Sequence, residues 1–301
     1  MSSKQVDAGI SVVLPVHGPA EYLMETLRSV YSSTVQPNEV LLIDDGVDTN
    51  VIKSVKLQFP NIIILANKGS GLVDALNTGV NSAHFDLIAR IDADDLLEPE
   101  RLETQLRLFR DNLELMLLGS QVRYIDKLGN LGSKSQYPVG DITAETKTGR
   151  SCIIAHPSVM YRKQAVISAG GYRHIYRVNQ MDLAEDFDLW IRVSRIGLIV
   201  NLDAALTRYR QHGAQLSNLH RIPQEMASIY IKAVAHYETV SSTEADCVSI
   251  QRTEPILWAS INFVFTQLGL RDAARYFLEF LSFKGLLNSF LKRLLAIPFR
   301  F

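Results

Sequence analysis

Three carboxylates stand close together at the end of an apolar run, Ile88-Ala89-Arg90-Ile91-Asp92-Ala93-Asp94-Asp95. Carboxylates this close repel one another, and holding them at a strand end is costly without a cation. Oxygen ligands of this kind select Mg²⁺ or Mn²⁺, and substrate phosphates commonly complete the coordination of these ions. The run therefore indicates a site for a metal and a diphosphate. The alternative is an Asp-rich turn that caps a helix expected to begin near Pro99.

The chain places its candidate polar groups at or directly after four short apolar runs, at residues 10–16, 40–46, 61–66 and 88–92. Segments with the apolar spacing of helices separate these runs. Near-continuous apolar strands that alternate with such helices predict an α/β fold, with a Rossmann-like, mostly parallel sheet flanked by helices. In such sheets, ligands bind outside the carboxyl ends of the strands. We therefore expect one edge of the sheet to carry Pro15, Asp44, Asp45, Asn67, Gly71, Asp92 and Asp94.

The order of these motifs resembles the family 2 glycosyltransferases, which have the GT-A fold. The first motifs are Ser11-Val12-Val13-Leu14-Pro15-Val16-His17-Gly18, Glu39 to Asp48, Asn67 to Gly79, and Asp92 to Asp95. The later motifs are Gly170-Gly171-Tyr172, Glu185-Asp186-Phe187-Asp188-Leu189-Trp190-Ile191-Arg192, and Tyr209-Arg210-Gln211-His212 through Ser217. Each motif alone is weak, but the ordered set over residues 10 to 217 is specific. One departure is Leu76, where the family often has an arginine for the nucleotide phosphates.

The resemblance implies an inverting glycosyltransferase of the bacterial polysaccharide or lipopolysaccharide type. Such an enzyme moves a sugar from a nucleotide-diphosphate sugar, UDP- or dTDP-linked, to a hydroxyl of a saccharide or lipid-linked saccharide, with Mg²⁺ or Mn²⁺. Two alternatives stay open. A nucleotidyltransferase that makes nucleotide sugars would normally carry a Gly-rich basic loop after its first strand, which residues 14–19 do not form. A non-catalytic sugar-nucleotide-binding protein would tolerate loss of Asp94 or Asp186, and both are present.

Carboxylates suit the base and ribose of a nucleotide because they accept hydrogen bonds from ring N–H groups and hydroxyls. The resemblance implies that Asp44 contacts the nucleotide base and that Asp45 is the next candidate for this contact. The end of the first strand would line the base pocket. The alternative for Asp44-Asp45-Gly46 is a turn without a ligand. The candidate donor-binding residues are Pro15, Val16, His17, Asp44, Asp45, Asn67, Gly71, Asp92, Ala93 and Arg210.

The resemblance makes Asp94 the main metal ligand, with Asp92 beside the ribose or the metal. His212 is a candidate second ligand or diphosphate contact, although a lone histidine after a strand is often only a surface or capping residue. Arg210 is a candidate phosphate ligand, because its guanidinium matches the geometry of phosphate oxygens.

The candidate general base is Asp186, since a carboxylate within reach of the acceptor hydroxyl can remove its proton. Glu185 and Asp188 would support it at the start of a predicted helix, whose N-terminus stabilises negative charge. The alternative is that these acidic residues only stabilise the helix. Trp190 could stack on an acceptor sugar or belong to the core. Segment 151–175, which includes His156, is expected to meet the acceptor.

Composition limits the class of protein. A net charge of −1 argues against broad nucleic-acid binding, which normally needs a basic excess. Cys152 and Cys247 fit neither a metal motif nor a disulfide framework, so a cytoplasmic location is expected. We expect no signal peptide at the start of the chain and no membrane-spanning helix.

The chain divides by character into a predicted catalytic domain at 1–217 and a helical region at 218–301. The helical segments are expected at about 223–239, 249–267, 271–283 and 285–296. Residues 271–301 contain six Lys or Arg against two Asp or Glu, a local charge of +4, beside a Phe- and Leu-rich face. Basic amphipathic helices bind anionic membranes, so this segment predicts peripheral contact with the inner face of the cytoplasmic membrane. The alternative is a helical cap on the catalytic domain.

Overall fold

The computed structural model describes residues 9–147, 153–174, 177–178 and 181–212. The predicted helical region 218–301, its proposed membrane segment and both cysteines lie outside these residues. Within the described ranges, no helix is both long and apolar enough to cross a bilayer.

The elements alternate along the chain as the apolar pattern predicts. The strands are β1 (Ile10–Val16), β2 (Glu39–Asp44), β3 (Ile63–Ala66), β4 (Leu87–Arg90), β5 (Leu96–Leu97), β6 (Leu115–Ile125), β7 (Leu131–Lys134), β8 (Gly140–Asp141), β9 (Met160–Arg162), β10 (Arg177–Val178), β11 (Met181–Asp182) and β12 (Leu198–Arg210). The helices are α1 (Leu23–Tyr31), α2 (Thr49–Gln58), α3 (Leu72–Ser82), α4 (Arg101–Asp111), α5 (Thr143–Lys147), α6 (Lys163–Ser168) and α7 (Glu185–Val193). The helix expected near Pro99 is α4.

One large sheet organises the described residues. Its strand order is β3-β2-β1-β4-β9-β6-β12-β5, with β7 on β6 and β8 on β12. The pairs among β3, β2, β1 and β4 are parallel, and so is the pair of β6 with β12. Strand β9 runs antiparallel between β4 and β6, and β5 is antiparallel to β12. The predicted α/β fold with a helix-flanked sheet is confirmed; the sheet itself is mixed, with parallel pairing among β3, β2, β1 and β4 and mainly antiparallel pairing beyond β4.

Strand β1 shows why both faces of the sheet are covered. Val12 and Leu14 point into a core shared with α1, α2 and α4, whereas Val13 points into a second core shared with α3, α6 and α7. Successive side chains of a strand alternate between faces, so an apolar residue at every position requires helices on both sides.

The strand ends align at one edge. The N–H of Asp45 donates to the carbonyl of Val16 (2.9 Å), and the N–H of Asn67 donates to the carbonyl of Asp44 (2.8 Å). The N–H of Ile91 donates to the carbonyl of Val13 (3.3 Å), which sets the end of β4 beside β1. The register therefore brings three of the predicted motifs to the carboxyl ends of neighbouring strands.

The buried guanidinium of Arg101, the first residue of α4, joins three parts of the chain. Its Nη1 donates to the carbonyl of Pro157 (2.7 Å) and to Oγ1 of Thr207 (3.1 Å). Its Nη2 donates to the carbonyls of Arg90 (2.8 Å) and Val159 (3.0 Å). Burial, with the nearby positive charge of Arg90, lowers the pKa of Arg101 to about 9. One side chain therefore ties the end of β4 to the turn before β9 and to β12.

Arg101→Met should lower the free energy of unfolding by about 3 kcal/mol, because several buried acceptors lose their donor at once. Urea denaturation followed by tryptophan fluorescence measures this change. Arg107→Met is the matched control, since Arg107 lies on the exposed side of the same helix and should shift stability by less than about 0.5 kcal/mol. Equal effects of the two substitutions would contradict the assignment.

Candidate functional site

The carboxylate of Asp45 organises the loop that follows β3. It accepts hydrogen bonds from Nδ2 of Asn67 (2.7 Å) and from the backbone N–H of Gly71 (3.1 Å). Gly71 precedes α3 with a φ of +85°, in the left-handed region that favours glycine. Three of the predicted donor residues therefore form one hydrogen-bonded loop beyond β2 and β3.

Asp44 forms the turn that the sequence left as an alternative. Its Oδ1 accepts the backbone N–H groups of Gly46 (3.0 Å) and Val47 (2.8 Å). The turn holds the Asp44 carboxylate at the strand end, and a contact of Asp44 with a nucleotide base stays a prediction.

The end of β1 supplies the other predicted base-pocket residues. Pro15 and Val16 are buried, whereas the side chain of His17 is 79 % exposed. Nδ1 of His17 lies 2.5 Å from the backbone carbonyl oxygen of Asp45 and 3.4 Å from Oδ2 of the same residue. The structure thus places His17 beside Asp45 at the open edge of the sheet.

A buried guanidinium holds Asp92. Arg90 is the last residue of β4 and is 2 % exposed. Its Nη1 donates to Oδ2 of Asp92 (2.7 Å), and its Nη2 donates to Oδ1 of the same carboxylate. The Asp92 side chain stays 31 % exposed, so the fork fixes its orientation without enclosing it.

Asp94 and His212 meet although 118 positions separate them along the chain. Nε2 of His212 lies 2.9 Å from Oδ2 of Asp94. The ring of Tyr22 packs beside His212, with the ring centroids 5.5 Å apart. Both predicted metal ligands therefore occupy one place, at the ends of β4 and β12.

Arg210 joins the acidic segment to two neighbouring elements. It is 1 % exposed, and its Nη2 donates to Glu25 (2.7 Å) while its Nε donates to the carbonyl of Asp94 (2.9 Å). Its backbone N–H donates to Oδ1 of Asp95 (2.8 Å). Arg210 thus fastens the acidic segment to β12 and α1. A contact between its guanidinium and a phosphate stays a prediction.

The acidic segment meets the requirements of a divalent cation. Asp92, Asp94 and Asp95 each offer a carboxylate oxygen, and these atoms lie within 4.8 Å of one another. Asp95 is fully buried, and its Oδ2 has no hydrogen-bond partner among the described residues. Burial and the neighbouring carboxylates raise the pKa of Asp95 well above its ordinary value, which a bound cation would reverse. The donor set of oxygens, with a histidine beside it, suits Mg²⁺ or Mn²⁺.

The predicted base lies at the start of α7 among buried polar groups. Asp186 is partly exposed, and its Oδ1 accepts the N–H of Phe187 (2.7 Å). Burial raises the pKa of Asp186, and it raises the pKa of the adjacent Glu185 to about 7. The positive charge of Arg90 acts against both rises. The charge of Arg90 therefore acts on Glu185 and Asp186 as well as on Asp92, which Arg90 binds directly.

Asp188 and Trp190 hold α7 in place through buried contacts. Asp188 is buried and accepts hydrogen bonds from Arg173 (2.6 Å to Oδ1) and from Arg192. Trp190 is 1 % exposed, and His156 lies edge-on to its ring with the centroids 5.6 Å apart. The core alternative for Trp190 is confirmed, because its ring offers no open face to a sugar.

Three residues of this region were missed by the sequence prediction: Arg90, Arg101 and Tyr172. Arg90 left a signal, because a charged residue inside an otherwise apolar strand must have a partner. Tyr172 stands in the Gly170-Gly171-Tyr172 motif, which marked the segment without giving the tyrosine a role. Arg101 left no signal, because an arginine at a helix start is ordinary in sequence.

The family model for "Glycosyl transferase family 2" matches residues 11–170. The amylovoran biosynthesis glycosyltransferase AmsE of Erwinia amylovora is 30 % identical over 206 residues, which cover 67 % of this chain and 74 % of that protein. The UDP-Gal:alpha-D-GlcNAc-diphosphoundecaprenol beta-1,3-galactosyltransferase of Escherichia coli is 31 % identical over 176 residues, which cover 57 % of this chain and 62 % of that protein.

A crystal structure of S. aureus TarS, residues 1–349, in complex with UDP-GlcNAc has the same fold, with a TM-score of 0.60 at 15 % identity. The likeness covers 90 % of this chain and 79 % of that one. The match to the family model covers more than half of the chain. The chain belongs to the family 2 glycosyltransferases and has their GT-A fold.

Proposed function

We propose that this enzyme transfers a sugar from a UDP- or dTDP-sugar to a saccharide hydroxyl in bacterial polysaccharide synthesis, with inversion at the anomeric carbon. The names of the two curated relatives support the pathway class, since one is an amylovoran enzyme and the other uses UDP-Gal. The TarS complex with UDP-GlcNAc supports a nucleotide-sugar donor for this fold.

The observation that carries the proposal is the buried guanidinium of Arg90, which binds Asp92 and acts electrostatically on the acidic start of α7. Its guanidinium forks onto Asp92 on the predicted donor side, and its charge acts on Glu185 and Asp186 on the predicted acceptor side. A sugar transferase needs donor-holding and proton-accepting carboxylates near one reacting carbon. Two motifs more than ninety positions apart along the chain thus share one buried cation.

On the donor side, Asp44 would contact the nucleotide base, with Asp45 and its loop beside it. Asp92 would accept a hydrogen bond from a ribose hydroxyl or lie beside the metal. Asp94, with His212 beside it, would hold the Mg²⁺ or Mn²⁺. When bound, such a cation stabilises the negative charge that develops on the departing diphosphate.

On the acceptor side, Asp186 would take the proton of the acceptor hydroxyl. The hydroxyl oxygen forms the new bond to the anomeric carbon, and the bond from that carbon to the phosphate oxygen breaks. The nucleoside diphosphate leaves with the electron pair. No protein nucleophile takes part, so the configuration inverts in one displacement.

The acceptor would be a saccharide or a lipid-linked saccharide, met at the cytoplasmic membrane surface. The basic segment 271–301 supports this location through its charge of +4, six cationic against two anionic residues. The segment lies outside the described residues, so membrane contact rests on sequence alone.

Asp94→Asn should lower donor turnover by about 100-fold or more while the fold persists. Replacing a residue that only hydrogen-bonds to a metal ligand already lowers metal affinity or activity by about 10–100-fold, and loss of a ligand should cost at least as much. The assay follows release of nucleoside diphosphate from UDP-glucose, UDP-galactose, UDP-GlcNAc and dTDP-glucose with Mn²⁺. The rise of the melting temperature with UDP and Mn²⁺ should disappear as well.

Asp111→Asn, at an exposed position of α4, is the control for this loss and should behave as the parent protein. A variant at Asp94 that keeps parental turnover in excess EDTA would exclude the metal assignment.

Asp186→Asn should lower kcat by about 10²–10⁴-fold, the usual contribution of a general base, and leave the affinity for UDP with Mn²⁺ within about twofold. The side chain keeps its shape but can no longer accept the proton of the acceptor. Titration calorimetry with UDP separates binding from turnover.

Asp203→Asn provides the comparison, because Asp203 lies on β12 with its side chain 72 % exposed. If Asp186→Asn lost UDP affinity and turnover to the same extent, Asp186 would be a nucleotide-binding or structural residue instead of the base.

A further inference from the structure

His156 is a buried imidazole for which the proposed reaction has no task. It begins the single turn His156–Ser158 that leads into β9. Arg101 holds this turn through the carbonyls of Pro157 (2.7 Å) and Val159 (3.0 Å). The side chain of Ser158 donates to the carbonyl of Ala155 (2.8 Å). The backbone that carries the imidazole is therefore fixed on both sides.

The ring of His156 bridges two segments that meet at the start of α7. Its Nε2 lies 3.1 Å from the hydroxyl of Tyr172, and its Nδ1 lies 3.5 Å from Oε1 of Glu185. Trp190, one turn further along α7, packs edge-on against the ring. Burial, aided by the charge of Arg90, lowers the pKa of His156 to about 3. The imidazole is therefore neutral at physiological pH and does not neutralise nearby carboxylates.

The start of α7 needs such support. Ala184, the residue before the helix, has a φ of +57°, a left-handed conformation that is unfavourable for alanine. Strained backbone of this kind persists where the surrounding contacts determine it and is common beside functional groups. Asp188 is anchored by arginines, whereas Glu185 faces His156. Asp186 lies between these two anchored residues.

We propose that His156 is a positioning residue that fixes the strained start of α7 and thereby the direction of the Asp186 carboxylate. The inference rests on the proposed role of Asp186 as general base. His156 acts through Glu185 and Tyr172 rather than by touching the reacting atoms.

His156→Phe should keep the packing on Trp190 but lose both polar contacts, so kcat should fall by about 10–100-fold. The KM for the consumed nucleotide sugar and the melting temperature should stay near parental values. His156→Gln, which restores a donor and an acceptor, should recover part of kcat. Tyr172→Phe should also lower kcat, by a smaller factor than His156→Phe.

A double-mutant cycle with Asp186→Asn separates positioning from other roles. If His156 acts through the base, the double variant His156→Phe/Asp186→Asn should be no slower than Asp186→Asn alone. If the kcat losses of the two single variants multiplied in the double variant, the inference would be overturned. It would also be overturned if His156→Phe lowered kcat and the melting temperature together and His156→Gln restored neither. His84→Phe, at an exposed histidine, serves as the control for the change of residue type.

The cycle also distinguishes failure of the inference from failure of the proposed function. Parental turnover in Asp186→Asn would remove the general base itself. A slow Asp186→Asn beside a parental His156→Phe would leave the base in place and reject only the role of His156.

Discussion

The arrangement of the site depends on one buried cation, the guanidinium of Arg101. It donates to the carbonyl of Arg90, whose side chain holds Asp92. It also donates to the carbonyl of Pro157, within the turn that carries His156, and to that of Val159, directly after the turn. It also reaches Thr207 on the strand that ends at Arg210. A buried charge is costly unless its donors are satisfied, so the backbone around it can take few other conformations. The proposed donor side and the proposed acceptor side thereby share a common structural support.

Three further buried arginines have different structural roles, which the sequence motifs alone do not distinguish. Arg90 orients a carboxylate that remains partly open, Arg210 fastens the acidic segment from behind, and Arg192 binds Asp188 within α7. In each case the guanidinium is buried and its planar donors match the acceptors around it. Lysine could not reproduce these contacts, because its compact ammonium lacks the planar, rigid fork of N–H donors that a guanidinium offers. Buried guanidinium groups thus position both the partly exposed Asp92 and the buried Asp188.

Sequence patterns predicted the sheet and its ligand edge because both follow from short-range rules. Alternating apolar strands and helices specify a parallel sheet, and the residues after each strand then lie at one edge, as Asp45 and Asn67 do. The approach of His212 to Asp94 was expected only through the family resemblance, since the two residues are 118 positions apart. The links through Arg101 and His156 could not be predicted, because they depend on which buried carbonyls and hydroxyls face a side chain after folding. The burial of Trp190 and Arg210 likewise follows from tertiary packing, which amphipathic spacing alone leaves undecided.

The stereochemistry of donor cleavage tests the central claim most directly. The full chain is incubated with Mn²⁺ and each of UDP-glucose, UDP-galactose, UDP-GlcNAc and dTDP-glucose, and the first sugar anomer released to water is followed by proton NMR. We predict that at least one of these α-linked donors yields nucleoside diphosphate and the β anomer, since one displacement without a protein nucleophile inverts the anomeric carbon. Release of the α anomer, or cleavage of no donor in the panel, would contradict this account.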